Sequence, residues 1–220
     1  MRTATRPRAI VMATGALVLT ALAACSSPSA TQELDAQPER IAHGKEVYHF
    51  NSLEDMTATA DLVVQAHVAS VKPGRWIGPP GGADGERVRE VTLQVDRVVL
   101  SRIGDVPANI TLDEWGWDNK GNGYQFENVT WTKAGDQGYY FLTRTPEVAN
   151  NFGLISSQGR LLVQGNGSAA KLNPSAGKDD EIHAALSALP PSTFEEHLRK
   201  TAADAKSGKI KPVEKSFREQ

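Results

Sequence analysis

The sequence predicts a mainly β protein, a small antiparallel barrel followed by two short C-terminal α-helices. Three observations carry this expectation. From about residue 48, short apolar runs alternate with clusters of Gly, Pro and Asn, the spacing of an all-β domain. The apolar pattern of residues 87–101 changes phase at Asp96-Arg97, as a β-bulge does when it turns a corner of a small closed barrel. Beyond residue 180 the period changes from that of strands to that of helices.

The chain has 220 residues, with 26 acidic and 24 basic side chains and one Cys, enough for one modest domain with short appendages. A single Cys rules out an internal disulfide and a Cys-rich metal site. Residues 1–24 carry three Arg and no acid, so the chain from Cys25 onward has a formal charge of −5 against −2 for the whole. That is not the composition of a nucleic-acid binder, whose footprint is a basic domain.

Arg2, Arg6 and Arg8 precede an uncharged apolar run at 9–24, the n-region and h-region of an export signal. The run is shorter than the roughly 20 residues of a bilayer-spanning helix. It ends in Leu22-Ala23-Ala24-Cys25, which resembles the lipobox of bacterial lipoproteins. The resemblance implies that a peptidase recognises Leu22, Ala23 and Ala24 and cuts before Cys25. The Cys25 thiol then carries a diacylglycerol, and its new amino group can be acylated, typically with palmitate. Two or three acyl chains hold a protein to a membrane where one is marginal, so the expected location is the extracytoplasmic side of the cell membrane. The competing reading is an ordinary cleaved secretory peptide. Residues 25–44 are polar and read as a flexible tether, 45–175 as the β-barrel domain, 176–208 as the helices and 209–220 as a frayed tail.

Within the domain, Ser52 ahead of Leu53-Glu54-Asp55 predicts a capped short helix. Leu62, Val64, Ala66 and Val68 alternate with their neighbours and predict a strand over 61–73 with the even positions inward. Residues 73–87, with three Pro and five Gly, predict a long loop. The strand over 87–101 places Val91, Leu93 and Val95 inward and, after the phase change, Val98 and Leu100. Further strands are predicted from Asn109 to about Trp117, from Gly138 to Arg144, and twice across 152–165 around the turn Ser156-Ser157-Gln158-Gly159. The Gly- and Asn-rich stretch 118–138 carries Tyr124, Phe126 and Trp131 and predicts an ordered excursion. Ile182, Ala185, Leu186 and Leu189 form one helical face, ended by Pro190-Pro191. A last helix is expected to open with the capping box Ser192-Thr193-Phe194-Glu195, to bury Phe194, Leu198 and Ala202, and to stop near Gly208.

The segments DLVVQAHV at 61–68, VTLQVDRVVL at 91–100 and GDQGYYFL at 135–142 resemble small exported bacterial β-domain proteins. That group is similar, at a distance, to netrin-like and metalloproteinase-inhibitor modules, which share a first strand, a valine-rich second strand and a later Gly-x-x-Tyr strand. The resemblance spans roughly residues 61–165 and implies an OB-like barrel. It departs from the inhibitors in one respect that matters. They carry disulfides and set a free N-terminal Cys on the enzyme's zinc, whereas Cys25 would be lipidated and lies about 35 residues before the first strand.

Among the chemical motifs, Ser168-Ala169-Ala170-Lys171 with Lys206-Ser207-Gly208 matches S-x-x-K and K-[ST]-G of penicillin-binding enzymes, but Ser168 follows Gly165-Asn166-Gly167 in a loop and the S-D-N partner is missing. The five His (His43, His49, His67, His183, His197) show no metal-ligand spacing. Asp118-Asn119-Lys120-Gly121-Asn122-Gly123 opens like an EF-hand but puts Lys120 and Val129 at ligand positions. The acid pairs Asp113-Glu114 and Glu195-Glu196 read as solvated or helix-capping groups. No metal, cofactor or nucleic acid is implied. The best candidate surface is Trp115 and Trp117 with Asp113, on one strand face if Gly116 keeps the phase. The favoured alternative is that Gly116 forms a bulge, flips the phase and sends at least one Trp into the core. The expected function is binding or scaffolding in the cell envelope, with the membrane reached through Cys25 and an envelope protein as possible partner. A cell-envelope hydrolase and a small-ligand carrier are the alternatives.

Overall fold

A computed structural model describes residues 37–146, 148–165, 171–174 and 181–215. Cys25 with Leu22, Ala23 and Ala24, and the Ser168-Ala169-Ala170 half of the S-x-x-K match, lie outside the described residues. The elements in order are β1 (Ile41–Ala42), α1 (Leu53–Thr59), β2 (Leu62–Ile77), β3 (Glu86–Ser101), β4 (Asn109–Trp117), β5 (Gln125–Phe126), β6 (Gln137–Arg144), β7 (Asn151–Leu154), β8 (Arg160–Gln164), β9 (Lys171–Pro174), α2 (Glu181–Ser187) and α3 (Pro191–Lys206).

The protein is mainly β, with helices at its C-terminal end. Strands β2, β3, β4, β7, β6, β8 and β9 form one seven-stranded sheet, and β2 also pairs with β6. These pairings close a ring through β2, β3, β4, β7 and β6. The sheet is mixed rather than wholly antiparallel as expected, because β4 and β7 run parallel, with Thr111 opposite Asn151 and Leu112 opposite Phe152.

The bulge expected at Asp96 is present: Gln65 pairs with Arg97 and Ala66 with Val95, which leaves Asp96 as the extra residue. A second slip leaves Val99 extra, since Val64 pairs with Val98 and Val63 with Leu100. Two slips cancel the phase change that one would impose. Leu100 therefore packs with Val63 on the helix side, and Val98 is left 42% exposed instead of turning inward. The expected 73–87 loop shrinks to residues 78–85 because β2 and β3 stay paired out to Ile77 and Glu86, with a further slip between Pro73 and Trp76 that accommodates Pro73 and Gly74.

Two apolar clusters follow from the strand period. Leu62, Val64, Ala66 and Val68 meet Val91, Leu93, Ile110, Leu112, Tyr140, Leu142 and Phe152 inside the ring. Val63, Tyr139 and Phe141 point the other way, onto Leu53 and Met56 of α1 and Phe194, Leu198 and Ala202 of α3. The continuous apolar run Tyr139-Tyr140-Phe141-Leu142 is thus a strand buried on both faces.

The helix ends illustrate local physics. Ser52 caps α1 by accepting from Asp55 N. In α3 the expected capping box is not used: Pro190 holds the cap position and Pro191 the first turn, where a missing N–H costs nothing, so Ser192 already lies inside the helix. Gly208, at φ +77°, ends it as expected.

Both expected appendages are partly held to the domain. In the tether, Gln37 exchanges two hydrogen bonds with the Trp131 backbone, Arg40 pairs with Asp118 at 2.6 Å, and β1 pairs in parallel with β5. In the tail, Val213 N donates to Thr59 Oγ1. Neither contact has a signature in its own short segment, because the partner is distant in sequence.

Candidate ligand-binding cavity

Strand β4 positions the candidate surface. Ile110 and Leu112 enter the ring core, so Thr111, Asp113 and Trp115 face outward. A bulge does occur at Gly116, since Arg87 pairs with Trp117 and Arg89 with Glu114. A Cβ on Gly116 would stand 2.7 Å from the Arg87 carbonyl oxygen, so only glycine fits the close approach. The expected consequence does not follow, however. The bulge absorbs the buried Gly116 itself, and neither Trp joins the core: Trp115 is 38% exposed and Trp117 half-buried.

The two indoles part company. Trp117 packs edge-on against Trp131, with centroids 5.3 Å apart, while Trp115 lies tilted against Phe126 at 5.7 Å. Trp115, Phe126 and Trp131, with Tyr48, Val88, Leu154 and Ile155, line a cavity of about 500 Å³ that also receives Asp113, but not Trp117. Asp113 Oδ2 accepts from Arg75 Nε at 2.8 Å and from Asn151 Nδ2 at 3.1 Å. Lys45 and Lys215 also line the cavity, and among the described residues neither has an acidic partner.

A buried ion triad borders the cavity, whose lining includes its carboxylate Glu114. Glu114, on the opposite face of β4 from Asp113, accepts from Arg89 Nη1, from Arg160 Nη1 at 2.7 Å, and from Thr132 through N at 3.1 Å and Oγ1 at 2.7 Å. Both arginines are fully buried and Glu114 nearly so. The Arg89 guanidinium also stands 4.4 Å from the Trp131 ring centroid, a cation–π contact. Glu114 is therefore not the solvated acid expected of the Asp113-Glu114 pair. The second pair differs too, since Glu195 accepts from the Tyr139 hydroxyl at 2.5 Å. Burial first, then the Glu195 carboxylate, pushes the Tyr139 phenol well above its usual range.

This arrangement can bind, and both serines that line it are hydrogen-bonded to neighbours. Ser156 Oγ accepts from Gln158 N, and Ser157 Oγ donates to Glu46 Oε2 at 2.8 Å. None of the described histidines lines the cavity: His183 contacts the Gln158 carbonyl, His67 pairs with Asp96 and His197 with Glu54. Lys171 opens strand β9 rather than standing one helical turn after a Ser, so the S-x-x-K match lacks the context that the chemistry needs. Asp118 closes its own loop by accepting from Lys120 N and Asn122 N. Hydrogen bonds from Asn122, against the opposing effect of desolvation and together with Arg40 and Lys120, hold its carboxyl far below the usual range. Among the described residues no group of three His, Cys, Asp or Glu is placed to hold a metal ion.

Sequence reasoning found Trp115 and Asp113, and it marked the excursion that supplies Phe126 and Trp131. It missed Lys45 and Tyr48, from the start of the segment read as the β domain, and Arg75 and Lys215, from segments read as loop and tail. No protein-family model matches the chain, and no curated protein sequence matches it significantly.

Proposed function

We propose that the protein is a lipid-anchored, extracytoplasmic binding protein that takes a small apolar or aromatic molecule bearing an anionic group in the cavity beside Trp115. The observation that carries this is the cavity itself. Its volume is in the ligand-binding range of roughly 300–1,000 Å³, its wall is mostly aromatic and aliphatic, and Lys45 and Lys215 stand unpaired among the described residues that line it. The anchor rests on the Leu22-Ala23-Ala24-Cys25 sequence. The closed ring, in which β4 and β7, third and fifth of its five strands in chain order, pair in parallel, supports an OB-type reading of the domain.

The ring interior is filled by side chains, which favours a site outside the ring over a carrier's internal cavity. A hydrolase needs a nucleophile and base converging on one point, and the cavity's two serines are bonded to Gln158 and Glu46 instead. The test is titration with anilinonaphthalene sulfonate, an aromatic anion whose fluorescence rises on apolar burial. We expect saturable one-site binding to the folded protein, weakened at least fivefold by Trp115→Ala and by Lys45→Ala. Absence of saturable binding, or unchanged binding in both variants, would reject the reading.

A further inference from the structure

We infer that the groove between α3 and β3, on a different face from the cavity, docks onto an anionic phospholipid surface. It goes beyond the cavity reading and does not depend on it. Arg199, Ala203 and Lys206 recur at i, i+4 and i+7 and form one exposed stripe of α3, while Leu198, Ala202 and Ala205 pack inward. With Arg97, Val98 and Val99 of β3 the stripe encloses a hollow of about 260 Å³.

Three cations therefore surround an apolar floor. Arg97 Nη2 is 3.4 Å from Glu195 Oε1, an oxygen already accepting from Tyr139, and Arg97 Nε is shielded from solvent with no hydrogen-bond partner. Among the described residues Arg199 and Lys206 have no acidic partner. Their neighbours Lys200 and Lys209 differ, because both are engaged by Asp204 at 3.3 and 3.1 Å. Val98, exposed by the double slip in β3, supplies the apolar contact.

The charge distribution points to the occupant. Residues 197–211 hold five Lys or Arg against one acid, although the chain from Cys25 onward is net negative. A net-negative protein approaches an anionic bilayer through its basic surfaces, of which this edge is one. From Arg199 to Lys206 the stripe runs only about 10 Å at 1.5 Å per residue. An extended acidic peptide would fit about three residues along it at roughly 3.3 Å each. Lipid phosphates with glycerol and acyl carbons beneath them match a short row of cations over an apolar floor, and no continuous protein surface is required.

The test uses the chain from residue 25 with Cys25→Ser, so that no acyl chain contributes and failure leaves the proposed anchor and cavity untouched. Sedimentation is measured with phosphatidylcholine vesicles and with vesicles containing 30% phosphatidylglycerol, at low and high salt. Binding is expected to the anionic vesicles alone and to be released by salt. Each basic side chain near an anionic surface contributes about a factor of five, so Arg97→Gln/Arg199→Gln/Lys206→Gln is expected to weaken partitioning on the order of a hundredfold. Arg199→Gln/Lys206→Gln, which leaves the Glu195 contact intact and so preserves folding, is expected to weaken it about 25-fold. The charge-matched control Lys45→Gln/Lys72→Gln/Lys120→Gln, which touches neither α3 nor the groove lining, should stay within a few-fold of the parent. Binding that ignores phosphatidylglycerol, a control that weakens as much as the triple variant, or retention on polyglutamate but not on vesicles would each overturn the inference.

Discussion

Replacing Glu114 by Gln tests whether the ion triad bordering the cavity is as buried and as connected as described. The carboxylate accepts from two guanidinium groups and from both the N–H and the hydroxyl of Thr132. Glutamine has nearly the same shape but one acceptor oxygen, and its NH2 must face a donor. At least two charge-assisted hydrogen bonds are lost, each contributing about 1.5–3 kcal/mol. The expected destabilisation is about 3–5 kcal/mol, the range for removing one partner of a buried ion pair. Urea unfolding followed by tryptophan fluorescence reads this directly, since Trp131 lies against Arg89. With a slope of about 2 kcal/mol per molar urea, the midpoint should fall by roughly 2 M. Replacing the whole triad, Arg89→Met/Glu114→Leu/Arg160→Met, removes the desolvation cost of the three charges as well as their attraction and should recover part of the single-variant loss, the remainder reflecting the buried Thr132 N–H, hydroxyl and carbonyl left without partners. A single-variant loss below about 1 kcal/mol would refute the reasoning, because it would mean the carboxylate is hydrated.

Three further outcomes are expected. Trp115→Ala should cost about 1 kcal/mol or less in the same unfolding assay, whereas Trp131→Ala, at a nearly buried site, should cost about 3–5 kcal/mol; equal costs would contradict the placement of Trp115. Burial tends to raise the Glu54 carboxyl pKa, but the hydrogen bond and charge of His197, with Lys200 and the local backbone, hold it below its ordinary value of 4.5. The contact between α1 and α3 therefore contributes stability that is full above that value and is lost as pH falls through the lower folded one. The stability gap between the parent and Glu54→Gln should close over that acidic window, and a gap unchanged by acid would be contrary evidence. Cys25→Ser should abolish partition into the detergent phase in cells, and wild-type recovery there would count against the anchor.

Short-range patterns in this sequence were enough for the mainly β character, the even-face burial of Leu62, Val64, Ala66 and Val68, the Asp96 bulge and the α3 face of Phe194, Leu198 and Ala202. These are legible because strand and helix periods are local, and burial of one face follows from the period alone. The parallel β4–β7 pair, the second slip at Val99 and the fixing of Gln37 and Arg40 onto the 118–131 segment were decided by tertiary structure, since each joins residues far apart in the chain. The candidate site divides along the same line. Trp115 and Asp113 stand out in the sequence as an aromatic and an acid in one strand, but Lys45, Tyr48, Arg75 and Lys215 become neighbours only when the sheet closes. Glu114 shows the same limit most sharply: an acid next to Asp113 reads as solvated, and only the arrival of Arg89, Arg160 and Thr132 around it makes burial of that charge tolerable.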